Sequence, residues 1–154
     1  MLVSAEPRWL DDDEQRIWRA FYGAATLLID RLDRELQRHA GMPHAYYEIL
    51  VVLSDSPQRT LRMSELARLT RSSPSRLSHA VARLEAKGWV HRRDCPQDKR
   101  GQLAELSAEG FEALEEAAPG HVETVRQHLF DVLTPAQVHQ LHAISEAIAS
   151  GLRA

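Results

Sequence analysis

The stretch "LRMSELARLTRSSPSRLSHAVARLEAKGWV", residues 61–90, restricts the fold more than any other part of the chain. It reads as two helices joined by a polar turn too short to let them separate. Ser64 is placed to cap a short helix that buries Leu66 and Leu69, and "TRSS" breaks that helix. Ser73 caps the next one, with Pro74 at its first position, where a missing N–H costs no hydrogen bond. Leu77, Val81 and Leu84 recur at helical spacing and define its inner face, and Gly88 ends it. A short helix, a tight turn and a longer capped helix form a helix-turn-helix.

The next residues extend this unit. "WVHRR" and "QLAELS" alternate as strands do, and "DCPQDKRG" between them has the composition of a polar turn that exposes Cys95. The expected result is a two-stranded wing with a basic tip. Charge is segregated accordingly. Residues 58–101 hold 11 Lys+Arg and 4 Asp+Glu, against 8 and 18 in the remainder, so a chain of net charge −3 has a basic middle. Such segregation gives one face a positive potential that attracts a polyanion.

The flanking text is helical. Ile17, Phe21, Leu28, Leu32 and Leu36 mark a helix over 11–38 that Asp11 and Glu14 can cap, and a second runs over about 44–53. "SDSPQRT" reads as a turn. Ser107 starts a helix that Pro119-Gly120 should kink or interrupt. Thr134, Pro135 and Gln137 open the last helix, whose apolar side holds Val138, Leu141, Ile144 and Leu152. The fold class expected is mainly α with a small β-hairpin wing. Residues 58–107 form the winged helix-turn-helix, and 1–57 with 108–154 form a helical dimerisation region with N-terminal support helices. The outer helices carry more apolar surface than a small winged domain needs, which predicts a homodimer.

Other classes find less support. With 154 residues the chain suits one domain, and no apolar run approaches the roughly 18 residues of a membrane span. The first residues lack a signal pattern and Cys95 is the one cysteine, so a reducing, cytoplasmic location is expected, with no membrane partner. No catalytic motif appears, and neither an enzyme, a cofactor nor a metal site is expected. Three alternatives remain: a metal-responsive regulator using His39, His44 and Glu48, or His139 and His142; a redox-responsive one using Cys95 near Arg92 and Arg93; and a winged-helix protein-interaction module without DNA binding.

"ARLEAKGWVHRR", "DKRG" and "LSAEG", in that order and close spacing, resemble the MarR (multiple antibiotic resistance regulator) family of winged helix-turn-helix transcription regulators. The resemblance spans nearly the whole chain. It implies a homodimer intertwined through its first, fifth and sixth helices. It implies a pseudo-palindromic double-stranded operator, usually repressed, and release by a small, often aromatic or phenolic, effector. The family's base-reading positions fall on Ser75, Arg76, Ser78 and His79. Helical spacing independently puts Ser75, Arg76, His79 and Arg83 opposite the buried face, and Ser72, Ser73 and the helix start suit a phosphate. The family's wing signature falls on Asp98 and Arg100, with Asp98 orienting the Arg100 guanidinium into the minor groove. Arg92, Arg93 and Lys99 are the expected phosphate partners. The family's effector crevice falls near Trp18, Arg19, Tyr22, His44, Tyr46 and Tyr47.

Overall fold

A computed structural model of the chain describes residues 7–153, without the Lys99 side chain. Capping fixes the first boundary. Helix α1 (Asp12–Ala40) starts at a reciprocal box in which the Glu14 N–H donates to Asp11 and the Asp11 N–H donates to Glu14. Gly41 closes it in the left-handed region, at φ 63°. Then come α2 (His44–Ser54), a 3-10 turn (Pro57–Arg59), β1 (Thr60–Arg62), α3 (Met63–Leu69), α4 (Pro74–Ala86), β2 (Val90–Cys95), β3 (Asp98–Leu106) and α5 (Ala108–Val125). A π-helical turn, Arg126–Phe130, leads to α6 (Pro135–Arg153).

The wing belongs to a three-stranded antiparallel sheet in the order β1-β3-β2. The turn predicted over "SDSPQRT" therefore ends in a strand, with Thr60 opposite Glu105 and Arg62 opposite Leu103. The hairpin is also longer than expected. Asp94 pairs with Gln102 and Cys95 with Asp98, so Pro96-Gln97 alone connects the strands. A bulge between Asp94 and Cys95 shifts the pairing there. Such a shift reverses which side of the sheet a residue faces, and Cys95 is buried instead of exposed.

Three local expectations need correction. Helix α3 begins at Met63 with Arg62 at the cap position and no side-chain cap, so Ser64 does not cap it. Leu69 is 37 % exposed. Thr70, whose hydroxyl donates to the Leu66 carbonyl at 2.8 Å, takes the buried place at that end. Pro119 does not interrupt α5, which packs on α1 and α2 through Leu114 and Ala117; the irregular turn falls later, at 126–130.

"LSAEG" acts as a stitch between α5 and the base of the wing. The Ser107 N–H donates to the Trp89 carbonyl at 3.0 Å and its hydroxyl donates to the Gly88 carbonyl at 2.6 Å. The same hydroxyl accepts from the Gly110 N–H at 3.0 Å. A Cβ on Gly110 would lie 2.1 Å from the Trp89 carbonyl oxygen, so only glycine permits this approach.

The core gathers Leu36, Met42, Leu50, Leu53, Leu66, Leu77, Val81, Leu84, Val90, Leu106 and Leu114. It lies under the winged unit. Ile17 and Phe21 of the predicted α1 stripe are exposed, as are Ile144, Ile148 and Leu152, and α6 buries no residue within the single chain. Among the described residues no helix is long and apolar enough to cross a membrane.

Candidate nucleic-acid interface

A sharp turn and a strong cap present α4. Arg71 adopts φ 53°, which folds the chain back between α3 and α4. The Ser72 N–H donates to the Ala67 carbonyl at 2.9 Å and closes the turn. Ser73 then accepts from the Arg76 N–H at 3.2 Å, with Pro74 at the first helical position as expected. Because Leu77, Val81 and Leu84 are buried, Ser75, Arg76, Ser78, His79 and Arg83 are turned outward and all are exposed. Tyr46 lines an open groove of about 400 Å³ with Ser75, Arg76, His79 and Arg83. It thus stands at this face, apart from the other residues expected around an effector.

The wing presents less free charge than its sequence suggests. Arg92 donates from Nε to Glu85 Oε2 at 2.7 Å and from its backbone N–H to Oε1 at 2.9 Å. Its guanidinium is therefore engaged through Nε with Glu85 in the DNA-free chain. Burial pushes the Glu85 carboxyl up, but the two hydrogen bonds and the charge of Arg92 outweigh it and hold that carboxyl below its ordinary range. Arg93 pairs with Glu105 across the hairpin at 3.2 Å, with both side chains about half exposed.

Asp98 is tied to two partners in the DNA-free chain. Its Oδ1 accepts the Arg100 backbone N–H at 3.1 Å, and its Oδ2 pairs with Arg62 Nη1 at 3.4 Å. It fixes the Arg100 backbone and ties the tip to the strand that leads into α3, without contacting the Arg100 guanidinium. Arg68 pairs with Glu65, Arg59 lies 3.6 Å over the Phe111 ring, and Lys87 lies 4.6 Å from the centre of the Trp89 ring. Among the described residues of the basic segment, the guanidinium groups of Arg71, Arg76, Arg83 and Arg100 have no partner within the protein.

The six residues expected around an effector do not meet in one crevice of the single chain. Trp18 and Arg19 line a cleft with Trp9, Leu10 and Gln15, and Trp18 stacks on Tyr22 at 5.5 Å. His44 and Tyr47 lie elsewhere, 5.6 and 4.3 Å from the ring of His121. His121 borders a mostly apolar cavity of about 60 Å³ between α1 and α5, with Glu35, His39 and Glu116 also on its wall. Its Nδ1 is buried without a hydrogen-bond partner. Burial, then the neighbouring His44, lowers its pKa, so the ring is held neutral. Sequence reading missed His121 because an interruption at Pro119-Gly120 would have turned it away from α1. Among the described residues no three His, Cys, Asp or Glu side chains group closely enough to hold a metal ion.

Comparison with known proteins adds independent findings. A family model for the MarR family matches residues 40–101. The chain is similar to Sco3205, a MarR family transcriptional regulator from Streptomyces coelicolor solved in complex with DNA, at 59% identity and TM-score 0.93, covering 97% of this chain and 93% of that one. It is similar to AbsC, a MarR family transcriptional regulator from the same organism, at 41% identity and TM-score 0.89, covering 96% and 99%. It is also 27% identical over 112 residues to the transcriptional repressor MprA of Escherichia coli, a match that covers 73% of this chain but only 63% of MprA.

Proposed function

The chain belongs to the MarR family of transcriptional regulators, and we propose that it binds a pseudo-palindromic operator as a homodimer and represses transcription. One observation carries this reading: Arg76 and Arg83 project from the outer face of α4 with no partner among the described residues, beside exposed Ser75, Ser78 and His79. Arg76 is suited to bidentate recognition of guanine in the major groove, and Ser75, Ser78 and His79 to adaptable base or phosphate contacts. Ser72 and Ser73 meet phosphate at the start of α4, and Arg93 and Lys99 meet it on the wing. Arg100 enters the minor groove. The exposed Ile17, Phe21, Ile144 and Ile148 support burial of α1 and α6 against a second copy.

Footprinting the purified protein on the promoter of its own gene tests the reading. Two protected half-sites related by a dyad, about 10 bp apart or a multiple of that, are expected. Equal affinity for promoter and random DNA, or a stable monomer at micromolar concentration in sedimentation, overturns it.

The unpartnered His121 Nδ1 favours a second part of the reading, a small phenolic or aromatic effector. A buried imidazole nitrogen without a partner gains a hydrogen bond from a phenol hydroxyl, as acceptor or donor according to its tautomer, and the cavity that His121 borders is mostly apolar. Phenol or salicylate should release DNA from the wild type but not from His121→Phe. Equal release from both removes His121 from the effector site.

A further inference from the structure

We propose that α2 is a third DNA-contacting element, in which Tyr46 and Arg83 of α4, on the same groove, hold one backbone phosphate at the edge of the major groove and so set how α4 sits in it. The inference rests on the DNA-binding reading above and extends it to a helix outside the winged unit.

Placement is the first argument. Tyr46 stands in the first turn of α2 and shares its groove with Ser75, Arg76, His79 and Arg83, the outer face of α4 itself. A molecule that covers that face also covers Tyr46. The groove is open along its length, which suits a passing polymer strand.

Spacing is the second. Arg76 and Arg83 are seven residues apart, which is about 10 Å along a helix axis. The major groove is about 12 Å wide. With Arg76 at a base edge, Arg83 reaches the groove wall, where phosphates pass. Bases lie too deep for it there, so its contact positions the helix without reading sequence.

Chemistry is the third. The Arg83 guanidinium and the Tyr46 hydroxyl have no hydrogen-bond partner among the described residues, whereas Arg62, Arg68, Arg92 and Arg93 are all engaged by carboxylates. The Tyr46 ring packs partly against the core, which limits the directions its hydroxyl can take. The Tyr46 hydroxyl and the Arg83 guanidinium, which border the same groove, supply a neutral and a charged donor to the same anionic oxygen pair. Neither group gains a partner until a phosphate arrives.

The test compares wild type, Tyr46→Phe, Arg83→Ala, Arg83→Lys and the double variant Tyr46→Phe/Arg83→Ala on operator and random DNA over a salt series, with phosphate-ethylation interference. Arg83→Ala should weaken both DNAs about tenfold and flatten the log–log salt slope by about 0.9. Arg83→Lys should restore the slope and only part of the affinity. Tyr46→Phe should weaken both several-fold, keep the slope and leave the melting temperature unchanged. The double variant should bind no worse than Arg83→Ala by more than a small factor, because the two share one phosphate. Ethylation of one phosphate per half-site should interfere with wild type and not with the double variant. If wild type binds the operator selectively while Tyr46→Phe and Arg83→Ala bind as it does, the clamp is wrong and the DNA-binding reading stands. Weakening by Tyr46→Phe only in proportion to lost folded protein also overturns it. If wild type shows no preference for the operator, the underlying reading fails and the clamp with it.

Discussion

Helix α4 and the wing carry the same kind of charge in opposite circumstances. On α4, Arg76 and Arg83 extend from a helix whose other face is fully buried, and no carboxylate among the described residues meets them. On the wing, Arg92 and Arg93 are held by Glu85 and Glu105, and Arg62 holds Asp98. Only Arg100, among the described wing cations, is left free. An arginine bound to an internal carboxylate must break that pair before it can displace counterions from DNA, so its contribution to salt-dependent affinity is reduced. A count of basic residues therefore overstates the wing as a phosphate binder. The arginines near its base stiffen it, and at its tip Asp98 holds the backbone from which the free Arg100 guanidinium extends.

The largest effect that tests this contrast is at the base of the wing. Gly110→Ala places a methyl group against the Trp89 carbonyl, where a Cβ would lie 2.1 Å from oxygen. The clash is with backbone and cannot be relieved by a rotamer change. Urea denaturation should show a loss of about 3 kcal/mol, with DNA binding lost in step as the protein unfolds. Stability equal to wild type would mean that α5 can retreat from the wing without cost.

Arg76→Ala should come next in size, and its effect should be on selectivity. Discrimination of operator from random DNA should fall by about 1–3 kcal/mol with an unchanged melting temperature. Arg93→Ala should weaken both DNAs alike and by less, because Glu105 already competes for that guanidinium. Equal losses on both DNAs for Arg76→Ala would remove it from base reading.

At the wing tip the sign of an effect is more informative than its size. Arg100→Ala should weaken operator binding without lowering stability, and Arg100→Lys should recover part of the loss, since an ammonium is harder to desolvate in a narrow groove. Asp98→Ala removes a negative charge from a DNA-facing loop, so bulk electrostatics predicts tighter binding. The structure predicts the reverse, a loss of a few-fold. Asp98 accepts the Arg100 N–H and ties the tip to Arg62, so its removal frees the tip. Tighter binding by Asp98→Ala in a gel shift would show that the tether does not matter.

These contrasts also mark what the sequence makes legible. Caps and periodicity place α4 with its inner and outer faces, because Ser73, Pro74, Leu77, Val81 and Leu84 act within a few residues of one another. The wing's existence follows from alternation in the same way. Partners distant along the chain do not. Nothing in the local pattern joins Arg62 to Asp98, 36 positions apart, or brings His121 against Tyr47. Thus the outward residues of α4 are readable, while the division of arginines into engaged and free is not. The burial of Cys95 escapes for a related reason, since the bulge at Asp94/Cys95 depends on how two strands meet. The members of the expected effector set stand in three places within one chain, at the Trp18 cleft, beside His121 and on the α4 groove, because a positional resemblance does not say which side chains meet.

The smallest predicted effect separates stiffening from binding within a single arginine. Arg92 and Glu85 have side chains 26% and 31% exposed, so their pair is only partly screened by solvent. Arg92→Ala should lower stability at pH 7 by about 1 kcal/mol or less. The Glu85 carboxyl is held below its ordinary value in the folded protein, so between the folded and unfolded values the unfolded chain binds more protons. The stabilisation is therefore present above the ordinary carboxylate value of 4.5 and is lost as the pH falls through the folded one. The stability difference between wild type and Arg92→Ala, measured by urea denaturation, should shrink as the pH drops below about 4.5. The salt slope for DNA binding should stay the same, because a guanidinium held by Glu85 releases no counterions. If Arg92→Ala flattens that slope by about 0.9, Arg92 leaves Glu85 for a phosphate when DNA binds, and the contrast between the free helix and the engaged wing holds only for the unbound protein.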